Sequence, residues 1–121
     1  MHSGNLILDK SFLFAANIVG LSRVLQNERE FVLSRQMLRS GTSIGALCRE
    51  AQHAESKRDF IHKLSIAIKE AYETSYWLEL LFQTNFITEA VFSEIHEENV
   101  RLLKILTAII KKAKDNLEKA Q

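Results

Sequence analysis

No proline interrupts this chain, and only four glycines occur among its 121 residues. Proline fixes φ and lacks an amide donor, so its absence removes the obligatory helix breakers. Few forced turns favour long helices over short strands. Apolar residues make up 46% of the chain and charged residues 26%, the balance of a folded domain and not of a disordered tail. At this length a core closes without disulfides or metals, and residues 1–121 read as a single domain.

Four helices follow from the spacing of apolar residues. The first begins at Asn5 or Ser11 and runs to Leu25. It carries two stripes, Phe12, Ala15, Ala16 and Val19 on one side and Phe14, Ile18, Leu21 and Leu25 on another. One stripe suffices for a helix packed on its own bundle, so two imply burial on two sides and point to an oligomer. A polar connection at 26–30 leads to the second helix, which starts between Phe31 and Ser34 and ends near Ala54. Its inward positions are Leu33, Met37, Ser40, Ile44, Leu47 or Cys48, and Ala51. Gly41 and Gly45 at its centre cost about 1 kcal/mol each against alanine, and are useful where another helix approaches closely.

Ser56 and Asp59 form a capping-box-like start for the third helix. Phe60, Leu64, Ala67, Ile68, Ala71, Ser75, Leu78 and Phe82 then recur at helical spacing, while Ile66, Tyr76, Trp77 and Leu80 lie off that stripe. Asn85 suits the left-handed residue that ends a helix. Thr88 is the N-cap of the fourth helix, with Ile87 and Phe92 as a hydrophobic staple. Its stripe runs from Phe92 through Ile95, Asn99, Leu102, Leu106, Ile109, Ile110 and Ala113 to Leu117. Glutamates early and lysines late complement the helix dipole. Short connections favour antiparallel neighbours, so the expected fold is an all-α, up-down-up-down four-helix bundle.

Several function classes are excluded or demoted. Sixteen basic and fifteen acidic residues give a net charge of +1, so nucleic-acid binding must rest on local clustering. Cys48 is the only cysteine and reads as a small core residue. Lys10 followed by residues 11–22 offers a charged start and an apolar run, yet Asn17 interrupts it and the helical pattern continues, which reads as a buried helix and not an export signal. No apolar run approaches the roughly 20 residues of a membrane span, so no membrane partner is expected and the location is cytoplasmic.

The stretch QMLRSGTSIGALCREA, followed by SKRDFIHKLSIAIKEAYETSYWLELL, resembles the four-helix bundle proteins encoded in 23S rRNA intervening sequences, the S23-like family. The resemblance covers roughly Ser11 to Lys112. It is strongest at Arg39-Ser40, Ser43-Ile44, Glu50-Ala51, Ser56, Asp59-Phe60, Ala67, Glu73 and Leu78. It implies an antiparallel bundle that assembles as a homopentameric barrel with a central opening. The chain is similar, more distantly, to the accessory protein of diversity-generating retroelements, which associates with nucleic acid and a reverse transcriptase. Leu47 stands where many members carry Asn. The resemblance brings no catalytic residues.

The residues themselves offer little chemistry. Glu50-x-x-His53 has the spacing of a di-iron bundle ligand pair, but such sites need two copies and further inward carboxylates; Glu70 and Glu73 are the available neighbours. Glu94-x-His96 splits across helix faces, and Cys48 with His53 is a poor thiolate–imidazole geometry. No catalytic residue, metal site or cofactor is expected. Arg35, Arg39, Arg49, Lys57 and Arg58 remain as candidate nucleic-acid contacts, each with the plainer alternative of an ion pair with Glu50, Asp59 or Glu73. In a ring, symmetry multiplies a modest patch. The expectation is a non-enzymatic homo-oligomeric scaffold that engages RNA or a nucleic-acid-bound protein. The alternatives are a structural or protein-partner adaptor without nucleic acid and, more remotely, a metal-dependent enzyme.

Overall fold

A computed structural model describes residues 4–120. Four helices account for most of them: α1 Leu6–Asn27, α2 Val32–Ala51, α3 Lys57–Gln83 and α4 Glu89–Ala120. Each helix packs on its neighbours in chain order, and α1 closes the ring against α4. The diagonal pairs α1/α3 and α2/α4 do not approach one another. The arrangement is the expected antiparallel bundle, with the α1–α4 seam the least extensive of the four.

Local chemistry explains the ends. Asn5 accepts the Leu8 amide and starts α1 there, not at Ser11. Asn85 adopts φ 66°, and the Phe86 amide reaches back to the Leu81 carbonyl at 2.9 Å while Asn85 N–H bonds Phe82, closing α3 in a Schellman motif. The same geometry closes α1, with Arg29 in the left-handed position at φ 66° and Glu30 N–H on the Leu25 carbonyl. Ser56 accepts the Asp59 amide at 3.0 Å and Thr88 the Val91 amide at 3.2 Å, as the capping patterns predict. The Asp59 carboxylate reaches past the cap residue to the Glu55 amide.

Two local features depart from expectation. Glu30, read as part of a polar connection, is buried and caps α2: its carboxylate accepts the amides of Leu33 at 2.9 Å and Ser34 at 2.6 Å. The helix ends at Ala51, three residues early, because Gln52, His53 and Ala54 turn back onto carbonyls three residues before them, a tightening that leads the chain out of α-geometry.

The core is one continuous cluster. Ile7, Phe14, Ile18 and Leu25 of α1 meet Met37, Ile44 and Cys48 of α2, Leu64, Ala71, Leu78 and Leu81 of α3, and Ile95, Leu102 and Leu106 of α4. The Phe12 stripe of α1 is only partly covered, with Ala15 and Val19 half-buried, and Leu13, outside either stripe, is exposed. Phe12 is 43% exposed and Leu13 56%. On α3, Tyr72 and Tyr76 also face outward. Gly41 explains the closeness of α1 and α2: a methyl group there would lie 2.9 Å from both γ-carbons of Ile18.

Candidate nucleic-acid interface

The five basic candidates do not form one patch. Arg35 sits one turn into α2 and Arg49 near its end, a separation along the axis of about 21 Å at 1.5 Å per residue. Lys57 and Arg58 open α3 at the end of the bundle that α2 runs toward. Sequence reasoning groups them by type, and the fold distributes them over both ends.

Their surroundings differ more than their positions. Arg39 is engaged by two carboxylates of α3, its Nη1 lying 3.3 Å from Glu70 and its Nη2 hydrogen-bonding Glu73. Trp77 donates its indole N–H to the same Glu73 oxygen at 3.0 Å. Together the indole and the guanidinium hold the Glu73 carboxyl below the usual carboxylate range. This is the ion-pair alternative, realised between helices 34 residues apart in sequence. Arg49 lies over the Phe12 ring, 5.3 Å from its centroid, a cation–π arrangement across the α1–α2 seam. Arg35, Lys57 and Arg58 are exposed, and none has an ion pair among the described residues.

The basic surface that sequence reasoning missed lies across from Arg58. The start of α3 runs antiparallel to the end of α4, and Arg58 and His62 face Lys114 over a groove of about 480 Å³. Lys114 and His62 carry no pattern of their own. Only the pairing of residues more than 50 positions apart brings them together.

The other chemical motifs dissolve. Glu50 and His53 are exposed, with His53 beyond the end of α2. Among the described residues no three His, Cys, Asp or Glu side chains are grouped to hold a metal ion. Cys48 is fully buried, and burial pushes its thiol up to about 11 against a smaller opposing hydrogen bond with Ser11. It therefore stays protonated at neutral pH and cannot act as a thiolate. His96 stacks on Phe92, which stacks on Phe82, so the imidazole completes an aromatic column at the α3–α4 seam. No helix among the described residues is long and apolar enough to cross a membrane.

A profile of the 23S rRNA-intervening sequence protein family matches residues 4–108. A crystal structure at 1.70 Å of a protein of unknown function from the S23 ribosomal protein family, from Bacteroides thetaiotaomicron VPI-5482, is 53% identical in sequence. The two share a TM-score of 0.86 over 87% of this chain and 98% of that one. No curated protein matches the chain.

Proposed function

This chain belongs to the 23S rRNA-intervening sequence protein family, and from that membership we propose that it is a non-enzymatic, homo-oligomeric helical scaffold that engages RNA or a nucleic-acid-associated protein in the cytoplasm. The observation that carries the oligomer is the outer face of α1. Leu6, Leu13 and Val24, spaced by seven and eleven residues along one line of α1, are large apolar side chains left exposed by a bundle whose core is already closed. Scattered surface leucines need no explanation, but a second face along one helix does. Five copies arranged as a barrel would cover it, in keeping with the resemblance.

Sedimentation of the purified protein tests this reading. A species of several chains at micromolar concentration is expected, and substituting Leu13 and Val24 with Glu should shift it toward smaller species with the helical content retained. A monomer would overturn the scaffold. RNA engagement predicts binding that weakens steeply with salt, because each neutralised phosphate releases a counterion.

A protein-partner adaptor without nucleic acid is the second reading. What favours it is Arg39, whose charge is already matched by Glu70 and Glu73 in a chain of net charge +1.

A further inference from the structure

We propose that the groove between the first turns of α3 and the last turns of α4 is the site that receives the backbone of single-stranded RNA, with Arg58, His62 and Lys114 as its contacts. This rests on RNA being the ligand and names where it binds. The groove is lined by those three side chains with Ile61 and Leu117 as its apolar part, and it is open to solvent with a volume of about 480 Å³.

Basic charge is in excess around this groove, whose own lining sets Arg58, His62 and Lys114 against Glu118. Residues 57–63 and 111–119 hold seven lysines and arginines against three acids, an excess of four in a chain whose total is +1. One of those acids, Asp59, is turned away to the Glu55 amide. Arg58 and Lys114 have no ion-pair partner among the described residues. The contrast is Arg39, the same type of side chain with two carboxylates upon it. Glu118 adds one carboxylate to the groove wall, and Ser65 takes no part because its hydroxyl donates to the Ile61 carbonyl.

The mix of groups suits a single strand better than a duplex. Phosphates attract Arg and Lys whatever the sequence, while unstacked bases need flat or apolar surfaces. Arg58 and Lys114 supply the first; His62 with Ile61 and Leu117 supplies the second. A duplex hides its base faces and would use only the charges. In a ring of copies the groove repeats, so weak single contacts add as avidity along one strand.

Binding of a fluorescent oligouridine, followed by anisotropy across a salt series, tests the site. For the Arg58→Gln/Lys114→Gln variant, affinity should fall at least tenfold at low salt. The slope of log K against log salt should flatten by about 1.4, two phosphate contacts at 0.7 each. His62→Ala should weaken binding about tenfold while His62→Phe keeps it, as a stacking role demands. Glu118→Gln should strengthen it. These side chains line an open groove, and an unchanged circular dichroism melt confirms folding. If the wild type binds and the double variant matches its affinity and slope, the groove is not the site although the RNA reading stands. If the wild type binds no oligouridine at low salt, the RNA reading fails and the groove assignment with it.

Discussion

Helix α3 is flanked by α2 on one side and α4 on the other, and the two flanks treat polar side chains oppositely. On the α2 flank the central polar groups of the seam meet partners within the chain. The hydroxyls of Ser40 and Thr74, both fully buried, hydrogen-bond at 2.9 Å. Arg39 bridges Glu70 and Glu73, and Trp77 completes the Glu73 shell. On the α4 flank Asn99 donates to the Ala71 carbonyl at 2.8 Å and to Ser75 at 2.9 Å, yet its own carbonyl oxygen is buried without a partner among the described residues. Further down, Arg58 and Lys114 line a groove without an ion-pair partner among the described residues. A polar residue at a helix seam serves structure when its partner lies within the chain, and is available for a ligand when it does not.

The largest expected effect, against which the two flanks are scaled, lies on the other side of α2, at its seam with α1. Gly41 lies on α2 with Ile18 of α1 where a side chain would go, and Ile18 is β-branched and fully buried, so its γ-carbons cannot swing aside freely. Gly41→Val should cost about 3 kcal/mol by overpacking, read as a lowered midpoint in urea denaturation. A loss smaller than 1 kcal/mol would mean that the α1–α2 seam is looser than these distances state.

Smaller and more discriminating is a pair of substitutions, one on each flank. Thr74→Val removes a hydroxyl that Ser40 is built against and should cost about 1 kcal/mol, because the buried Ser40 hydroxyl is left with only its longer bond to the Met37 carbonyl at 3.4 Å. Asn99→Leu should be neutral or stabilising, since it deletes an unmatched buried oxygen along with two donated bonds, and the Ala71 carbonyl and Ser75 hydroxyl lie on a helix that can satisfy them. Its cost would appear as specificity: a buried polar residue in a bundle stripe can hold the register of its helix. Equal losses from both substitutions in urea denaturation would erase the difference between the flanks.

The helices and caps were legible because their causes are local. Ser56 and Thr88 accept amides three residues on, and Asn85 takes the left-handed conformation that ends α3, all within a few residues of themselves. The surplus of apolar residues on α1 was legible, but its placement was not: the stripe read through Phe12, Ala15, Ala16 and Val19 is partly covered, and the exposed line runs through Leu6, Leu13 and Val24. Glu30 escaped because glutamate is not among the favoured caps, and its reach to Leu33 and Ser34 depends on Arg29 entering the left-handed region. The fate of each arginine escaped for a different reason. Arg39 and Arg58 look alike in sequence, and only the pairing of α2 with α3 and of α3 with α4 decides which meets carboxylates. Lys114, buried in a run of lysines that the helix dipole already explains, gave no separate signal.

The smallest expected effect tests that distinction directly. Arg39→Gln removes an exposed ion pair, worth about 0.5–1 kcal/mol in a network of this kind. Its pH dependence has a definite sign. Glu73 is held below the usual carboxylate range in the folded state, so its contribution to stability is complete above that range and is lost as the pH falls through the depressed value. The difference in stability between wild type and Arg39→Gln, measured by urea denaturation, should therefore be full at neutral pH and shrink in acid as Glu73 protonates. Oligouridine affinity of the same variant should match wild type, because the guanidinium it removes was already neutralised by Glu70 and Glu73. Should Arg39→Gln weaken RNA binding as much as the Arg58/Lys114 substitutions do, the α2 flank would be part of the binding surface, and a matched charge would no longer mark a structural role.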